Sequence, residues 1–160
     1  MWIIKLFLLG IFSLIFFQDY KDRTVYWFLY PITGIVVLIL QIQIVSIPVA
    51  LVNSGINLLF IGFLLFFCYW YAQIKLKKSL LQSVLGLGDV LFFIAIAFSF
   101  SIVSFLVLFV FALLFSLILH FVFKNKHAEQ TVPLAGYMSL FYATVYGISF
   151  FYNLHFLYAY

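Results

Sequence analysis

Long stretches of this chain contain no charged residue, and they constrain its fold more than any other feature. No Lys, Arg, Asp or Glu occurs in the 51 residues from Thr24 to Ile74 or in the 34 residues from Val90 to Phe123. Only 8% of the 160 residues are charged, whereas about a quarter are charged in an average soluble domain. The chain is therefore predicted to be an integral membrane protein, with residues 1–160 forming a single membrane-embedded domain.

The few charged residues are grouped, and their grouping predicts the topology. Apart from Lys5, they fall in residues 18–23 (QDYKDR), in residues 75–78 (KLKK) with the nearby Asp89, and in residues 124–129 (KNKHAE). These clusters contain seven of the eight Lys and Arg residues. Such short polar segments are typical of the loops between membrane helices.

The lengths of the uncharged intervals predict about six transmembrane helices. Because one crossing takes roughly 20 residues, residues 24–74 suit two helices with a turn near QIQIVSIP, and residues 90–123 suit two short helices that turn near SFSIVS. The run from Trp2 to Phe17 is interpreted as a retained first helix, because it lacks the small-x-small cleavage site of a signal peptide. The tail, residues 130–160, supplies one more crossing. The predicted fold is an all-α polytopic membrane protein.

An even number of crossings between the clusters places all three on one side of the membrane. The positive-inside rule identifies that side as the cytoplasm, so both termini are expected outside. The formal net charge of +4 is then a topology signal, and no nucleic-acid partner is predicted. Membrane lipids are the expected surroundings.

The four carboxylates gather at the predicted cytoplasmic face, but two of them differ from the others in their sequence context. Asp22 and Glu129 have basic neighbours and are interpreted as solvated loop charges. Asp19 directly follows an apolar run and Asp89 directly precedes one, so each is attached to the end of a membrane helix. Two poorly solvated carboxylates that lie close together share one proton. This is the arrangement with which aspartic proteases activate water.

A structural explanation of the second aspartate stays open at this point. The stretch LGLGD (residues 85–89) could be only a loop, with Asp89 serving as a helix N-cap that accepts hydrogen bonds from exposed amides. In the protease interpretation, Gly86 and Gly88 let the backbone bend and approach a substrate closely. Spacing alone does not decide between the two.

Three segments resemble the type IV prepilin peptidases, a family of intramembrane aspartyl proteases. Residues 86–89 (GLGD) match the Gly-x-Gly-Asp motif, and residues 19–27 (DYKDRTVYW) look like the family's first active-site segment, in which basic residues follow the aspartate two and four positions later. Residues 132–140 (VPLAGYMSL) are loosely similar to the start of its last helix. The resemblance implies catalytic and supporting residues. The catalytic pair would be Asp19 and Asp89, and the supporting residues would be Gly86, Gly88, Lys21 and Arg23.

The resemblance also implies a substrate class and a location. The expected substrates are pilin-like precursors of type IV pili or protein secretion, cleaved between a short basic leader and an apolar helix at the cytoplasmic face of the bacterial inner membrane. No cofactor or metal is expected. Lys21 and Arg23 would either tune the aspartate pair or anchor the loop to anionic lipid.

Departures from the family pattern narrow the expected activity. Tyr26 stands where a proline is frequent, and Leu91 stands where many members have a lysine. The chain has one cysteine, Cys68, and lacks the loop with two Cys-x-x-Cys pairs that accompanies N-methyltransferase activity. A minimal, peptidase-only enzyme is therefore expected.

Two other functions fit part of the sequence. Signal-peptide-peptidase-like and presenilin-like proteases share Gly-x-Gly-Asp, but they have a Tyr-Asp pair and a Pro-Ala-Leu motif, whereas Gln18 precedes Asp19 here and residues 133–135 read Pro-Leu-Ala. The other alternative is a non-enzymatic membrane assembly or transport component, whose acids would be structural or would handle protons.

Overall fold

The described part of the chain is all-helical. The computed structural model describes residues 2–76, 86–123, 133–152 and 156–159. The helices are α1 (Trp2–Asp22), α2 (Leu29–Ile42), α3 (Ile47–Tyr71, continued by a π-helical turn, Ala72–Leu76), α4 (Leu87–Ile96), α5 (Ile102–Phe123), α6 (Leu134–Ile148) and the short α7 (Phe156–Ala159). The basic cluster at residues 124–129, with Glu129, lies outside the described residues, as do Lys77 and Lys78 of the cluster at 75–78.

The helices confirm both predicted turns and correct one predicted length. The turn between α2 and α3 comprises residues 43–46, and the turn between α4 and α5 comprises residues 97–101. Two short helices were expected in the second uncharged interval, but α4 has 10 residues and α5 has 22. Within the described residues, three helices are long and apolar enough to cross a membrane, namely α1, α3 with its extension to Ile74, and α5.

The outer surface of the bundle is apolar. Large hydrophobic side chains are exposed along all three long helices, for example Phe7 on α1, Leu59 on α3 and Ile118 on α5. A soluble protein does not expose contiguous apolar surface on this scale. The surface therefore indicates a protein surrounded by lipid.

Helices α1 and α6 pack side by side in opposite directions, and polar contacts fix their register. Near one end of the pair, the Lys5 ammonium donates to the carbonyl of Ser149 at 3.0 Å. In the middle, the Ser139 hydroxyl donates to the carbonyl of Phe12 at 3.2 Å. The C-terminal end of α1 is consequently brought to the N-terminal end of α6.

Helix α4 ends inside the bundle, where a side chain of α3 satisfies two carbonyls of the turn that follows it. The buried Asn57 of α3 donates to the carbonyls of Ala97 and Phe100, both at 3.0 Å. Ten residues of α-helix span only about 15 Å, half of the hydrocarbon thickness. Backbone groups exposed by such an early end must be satisfied inside the protein. Helix α7 lies against the same turn, where the Leu157 carbonyl accepts a hydrogen bond from Ser101.

Candidate active site

The first aspartate lies in the last turn of α1 and faces a neighbouring helix. One oxygen of Asp19, Oδ2, accepts a hydrogen bond of 2.6 Å from the backbone N–H of Gly136, in the first turn of α6. The N–H groups in the first turn of a helix have no partner within that helix. A carboxylate there satisfies such a group and interacts favourably with the positive end of the helix dipole.

The second aspartate lies in the first turn of α4 and has two backbone partners. Its Oδ1 accepts a hydrogen bond of 2.9 Å from the N–H of Ala135, and its Oδ2 accepts one of 3.2 Å from the N–H of Gly86. Gly86 is the N-cap of α4. The interpretation of Asp89 as the N-cap itself is therefore wrong, although Asp89 does bond back to the N-cap amide, as an acid at the third helical position does in a capping box.

Both carboxylates are brought together by one feature of α6. Their donors, Ala135 and Gly136, are consecutive residues, so Asp19 and Asp89 lie at neighbouring amides although 70 residues separate them in the sequence. Both side chains are partly buried. Two carboxylates that lie close together and are poorly solvated disfavour double ionisation, so such a pair can share one proton.

The close approach of Asp19 requires glycine in α6. A methyl group added at Gly136 would lie 3.0 Å from both Cβ and Oδ2 of Asp19. The Cβ of Asp19 is nearly fixed by the α1 backbone, so it cannot move far to make room for the methyl group.

The two glycines of the Gly-x-Gly-Asp motif leave space for neighbouring side chains, and their backbone angles are not unusual. A Cβ at Gly88 would lie 2.6 Å from the hydroxyl of Tyr30, and one at Gly86 would lie 3.2 Å from Oδ2 of Asp89. None of the glycines in the described ranges has a positive φ. The expectation that these glycines let the chain bend is therefore not supported there.

Tyr30 is a site residue that the sequence analysis missed. It is buried in α2, its hydroxyl lies over Gly88, and the charges of both Asp19 and Asp89 act on it. A phenol so placed can donate a hydrogen bond to a carboxylate or to a reacting oxygen. No spacing rule pointed to it, because it comes from a third helix.

The two basic residues of the first segment differ in their surroundings. The exposed Lys21 turns back along α1, and its ammonium lies 5.8 Å from the centre of the Phe17 ring. Arg23 has a φ of 54°, a left-handed conformation that usually ends helices at glycine, and its charge acts on both Asp19 and Asp89. Arg23 is thus the member of the pair that is electrostatically coupled to the carboxylates.

The arrangement can perform acid–base chemistry on a polar bond. The singly protonated pair offers one carboxylate that can take a proton from water and one carboxyl group that can donate a hydrogen bond to a carbonyl. Among the described residues, no group of three or more His, Cys, Asp or Glu side chains could hold a metal ion. His127 and His155 lie outside those residues.

The other missed contribution is the start of α6. Its sequence Pro-Leu-Ala-Gly gives a weak signal, since proline is common at helix starts and small residues permit close helix packing. That two of its amides hold carboxylates depends on tertiary packing, which no local pattern shows.

Comparison with known protein families, with curated proteins and with solved structures gave no match.

Proposed function

We propose that this protein is an aspartic endopeptidase of the prepilin peptidase type. It cleaves the short basic leader from pilin-like precursors. The observation that carries the proposal is the convergence of Asp19 and Asp89, from two helices, on consecutive amides of a third. The resemblance of the sequence to prepilin peptidases points to the same two residues, although it does not predict the backbone amides that bind them.

The mechanism follows from a pair that shares one proton. The ionised carboxylate removes a proton from water as the water oxygen bonds to the carbonyl carbon of the scissile peptide. The protonated carboxyl group donates a hydrogen bond to the carbonyl oxygen and stabilises the developing negative charge. The C–N bond then breaks, and the departing nitrogen takes a proton from the pair. A leader peptide and a new N-terminal amine are released.

The proposed topology places this chemistry where the substrate is cut. Six crossings with both termini outside bring the C-terminal end of α1 and the N-terminal ends of α4 and α6 to the cytoplasmic face of the bacterial inner membrane. A precursor with a basic cytoplasmic leader and an apolar membrane helix presents its junction at this depth. The distribution of Lys and Arg supports this orientation.

Cleavage of a co-expressed precursor tests the proposal. The precursor carries a short basic leader, a glycine and about 20 apolar residues. We expect Asp19→Asn and Asp89→Asn each to lower its cleavage by about 10²- to 10⁴-fold, because each removes a group that transfers or donates a proton. Asp22→Asn is the matched control, since Asp22 is an exposed acid on the same helix as Asp19. Precursor and product are measured by gel mobility.

One observation favours a second, non-catalytic function for Asp89. Its hydrogen bond from Ala135 ties the start of α4 to α6, and its bond from Gly86 caps α4 itself, so its removal could weaken the fold. Thermal unfolding of each purified variant in detergent separates the two functions. A well-folded Asp19→Asn or Asp89→Asn variant that still cleaves the precursor contradicts the protease. Loss of cleavage only in proportion to the loss of folded protein would instead support a structural role.

A further inference from the structure

An apolar groove of about 480 Å³ runs between α2 and α4. On α2 its lining residues include Tyr30, Gly34 and Leu38, which recur every four residues and so form one stripe of the helix. The facing stripe of α4 includes Leu91 and Ala95. The groove therefore follows the axes of the two helices.

The floor of the groove is made of small residues, and its wall is open to the surroundings. At the floor, a Cβ on Gly34 would lie 3.5 Å from the Cα of Ala95, so the two backbones are close. On the wall, Ile35 is 59% exposed. Small residues on a membrane helix let the backbone of another helix approach closely. Gly34 and Ala95 thus explain how closely α2 and α4 pack, and the apolar groove beside them is open to lipid.

One end of this groove lies at Tyr30, beside the Gly-x-Gly-Asp segment. Tyr30 lines the groove, its hydroxyl lies over Gly88, and the charges of Asp19 and Asp89 act on it. An apolar helix lying in the groove would consequently end beside the aspartate pair. Ile118 on α5 also faces lipid, but it does not line this groove.

We propose that the groove between α2 and α4 is the docking site for the apolar transmembrane helix of the substrate. The proposal rests on the proposed protease function. A partner helix lays one stripe of side chains against Ile35, Leu38 and Ile94, with its cytoplasmic end at Tyr30. The polar junction that precedes the helix then reaches the carboxylates. Specificity for substrates with an apolar helix follows from the apolar lining.

Disulfide crosslinking tests where the helix lies without relying on cleavage. The chain has a single cysteine, so Cys68→Ser gives a cysteine-free background. In that background with Asp19→Asn, we expect Ile35→Cys to crosslink to single cysteines in the precursor helix at intervals of three or four residues. Ile118→Cys is the control, because Ile118 is 60% exposed on α5 and lies outside the groove. Equal crosslinking at position 118, or none at position 35, would overturn the docking site.

A bulky substitution tests whether docking matters for cleavage. Ile35→Trp fills the groove from its exposed side, so we expect at least tenfold slower cleavage of the precursor in the same co-expression assay. Ile118→Trp is expected to stay within twofold of wild type. Unchanged cleavage by Ile35→Trp would mean that the groove holds lipid acyl chains, and the docking proposal would fall while the protease stands. Crosslinking at position 35 with undiminished cleavage by Asp19→Asn would instead refute the protease and leave a helix-binding site.

Discussion

At the scale of single residues, the main feature of this molecule is that backbone amides bind its two partly buried acids. Asp19 accepts one amide hydrogen bond and Asp89 accepts two. A hydrogen bond to a charged acceptor contributes about 1.5–3 kcal/mol. Each bond favours an ionised carboxylate, while partial burial and the neighbouring acid favour a protonated one. This balance suits a pair that must carry one proton and exchange it during reaction.

Gly136 offers a test of that geometry through a single methyl group. We expect Gly136→Ala to lower precursor cleavage by at least tenfold, because the new Cβ would lie 3.0 Å from Cβ and Oδ2 of Asp19 and would push the carboxylate from its amide. In an unobstructed helix the same substitution is favourable by about 0.5–1 kcal/mol. Cleavage assays and melting temperatures of the purified variants are the measurements.

Gly147→Ala is the matched control for this prediction. Gly147 lies on the same helix, and a Cβ there would meet no atom within 4 Å. It should cleave like wild type and melt at the same or a higher temperature. A Gly136→Ala variant that cleaves as fast as Gly147→Ala would show that Asp19 needs no such close approach to α6.

At the scale of helices, the short α4 explains how the second aspartate reaches the site. The helix spans about half of a membrane, and two carbonyls of the turn that follows it accept hydrogen bonds from Asn57. Without that donor, two buried carbonyls would lose their partner. Asn57 of α3 thus contributes to the position of α4.

Substitution of Asn57 should therefore destabilise the fold without removing any site residue. We expect Asn57→Ala to lower the free energy of unfolding by about 1–2 kcal/mol, the range for polar contacts between membrane helices and for buried groups left unpaired. The measurement is unfolding of the purified protein in detergent. Asn53→Ala is the control, because in the described part of the chain Asn53 makes no such bond to the turn after α4. Equal losses of stability in the two variants would contradict this role for Asn57.

The helices also show what the sequence could predict and what it could not. Charge-free intervals and turn residues gave the turns after α2 and α4, because inserting a charge into lipid is costly. The length of α4 was missed because hydropathy does not register a helix that ends at a side-chain donor from another helix. Two short helices were expected in residues 90–123, whereas α5 has 22 residues and the turn after α4 is bound by Asn57.

The site was predicted only in part, because it too depends on contacts between helices that are distant in the sequence. Asp19 and Asp89 were identified by their places at the ends of apolar runs and by a motif, and the structure brings them to one place, while their catalytic role stays a prediction. Tyr30 and the amides of Ala135 and Gly136 were not identified. Their contribution comes from where four separate helices meet, which depends on packing over more than 100 residues of sequence.

At the scale of the whole molecule, helix ends are sorted between two faces. The C-terminal end of α1 meets the N-terminal ends of α4 and α6 at the aspartates. The opposite face includes Lys5 with its partner Ser149. An antiparallel bundle sorts its helix ends in this way, and the proposed protease additionally requires that the aspartate face be cytoplasmic, because a precursor keeps its basic leader there.

Thiol labelling of intact cells decides this orientation. In the Cys68→Ser background, Thr24→Cys places a thiol in the loop after α1, and Ser46→Cys places one in the turn before α3; both positions are exposed. We expect a membrane-impermeant maleimide to label Ser46→Cys in intact cells and Thr24→Cys only after permeabilisation. The reverse pattern would put the aspartates on the outer face, whereas the basic leader of a precursor lies on the cytoplasmic side. The prepilin-peptidase assignment would then fail even if both carboxylates proved catalytic, since the substrate junction and the pair would lie on opposite sides of the membrane.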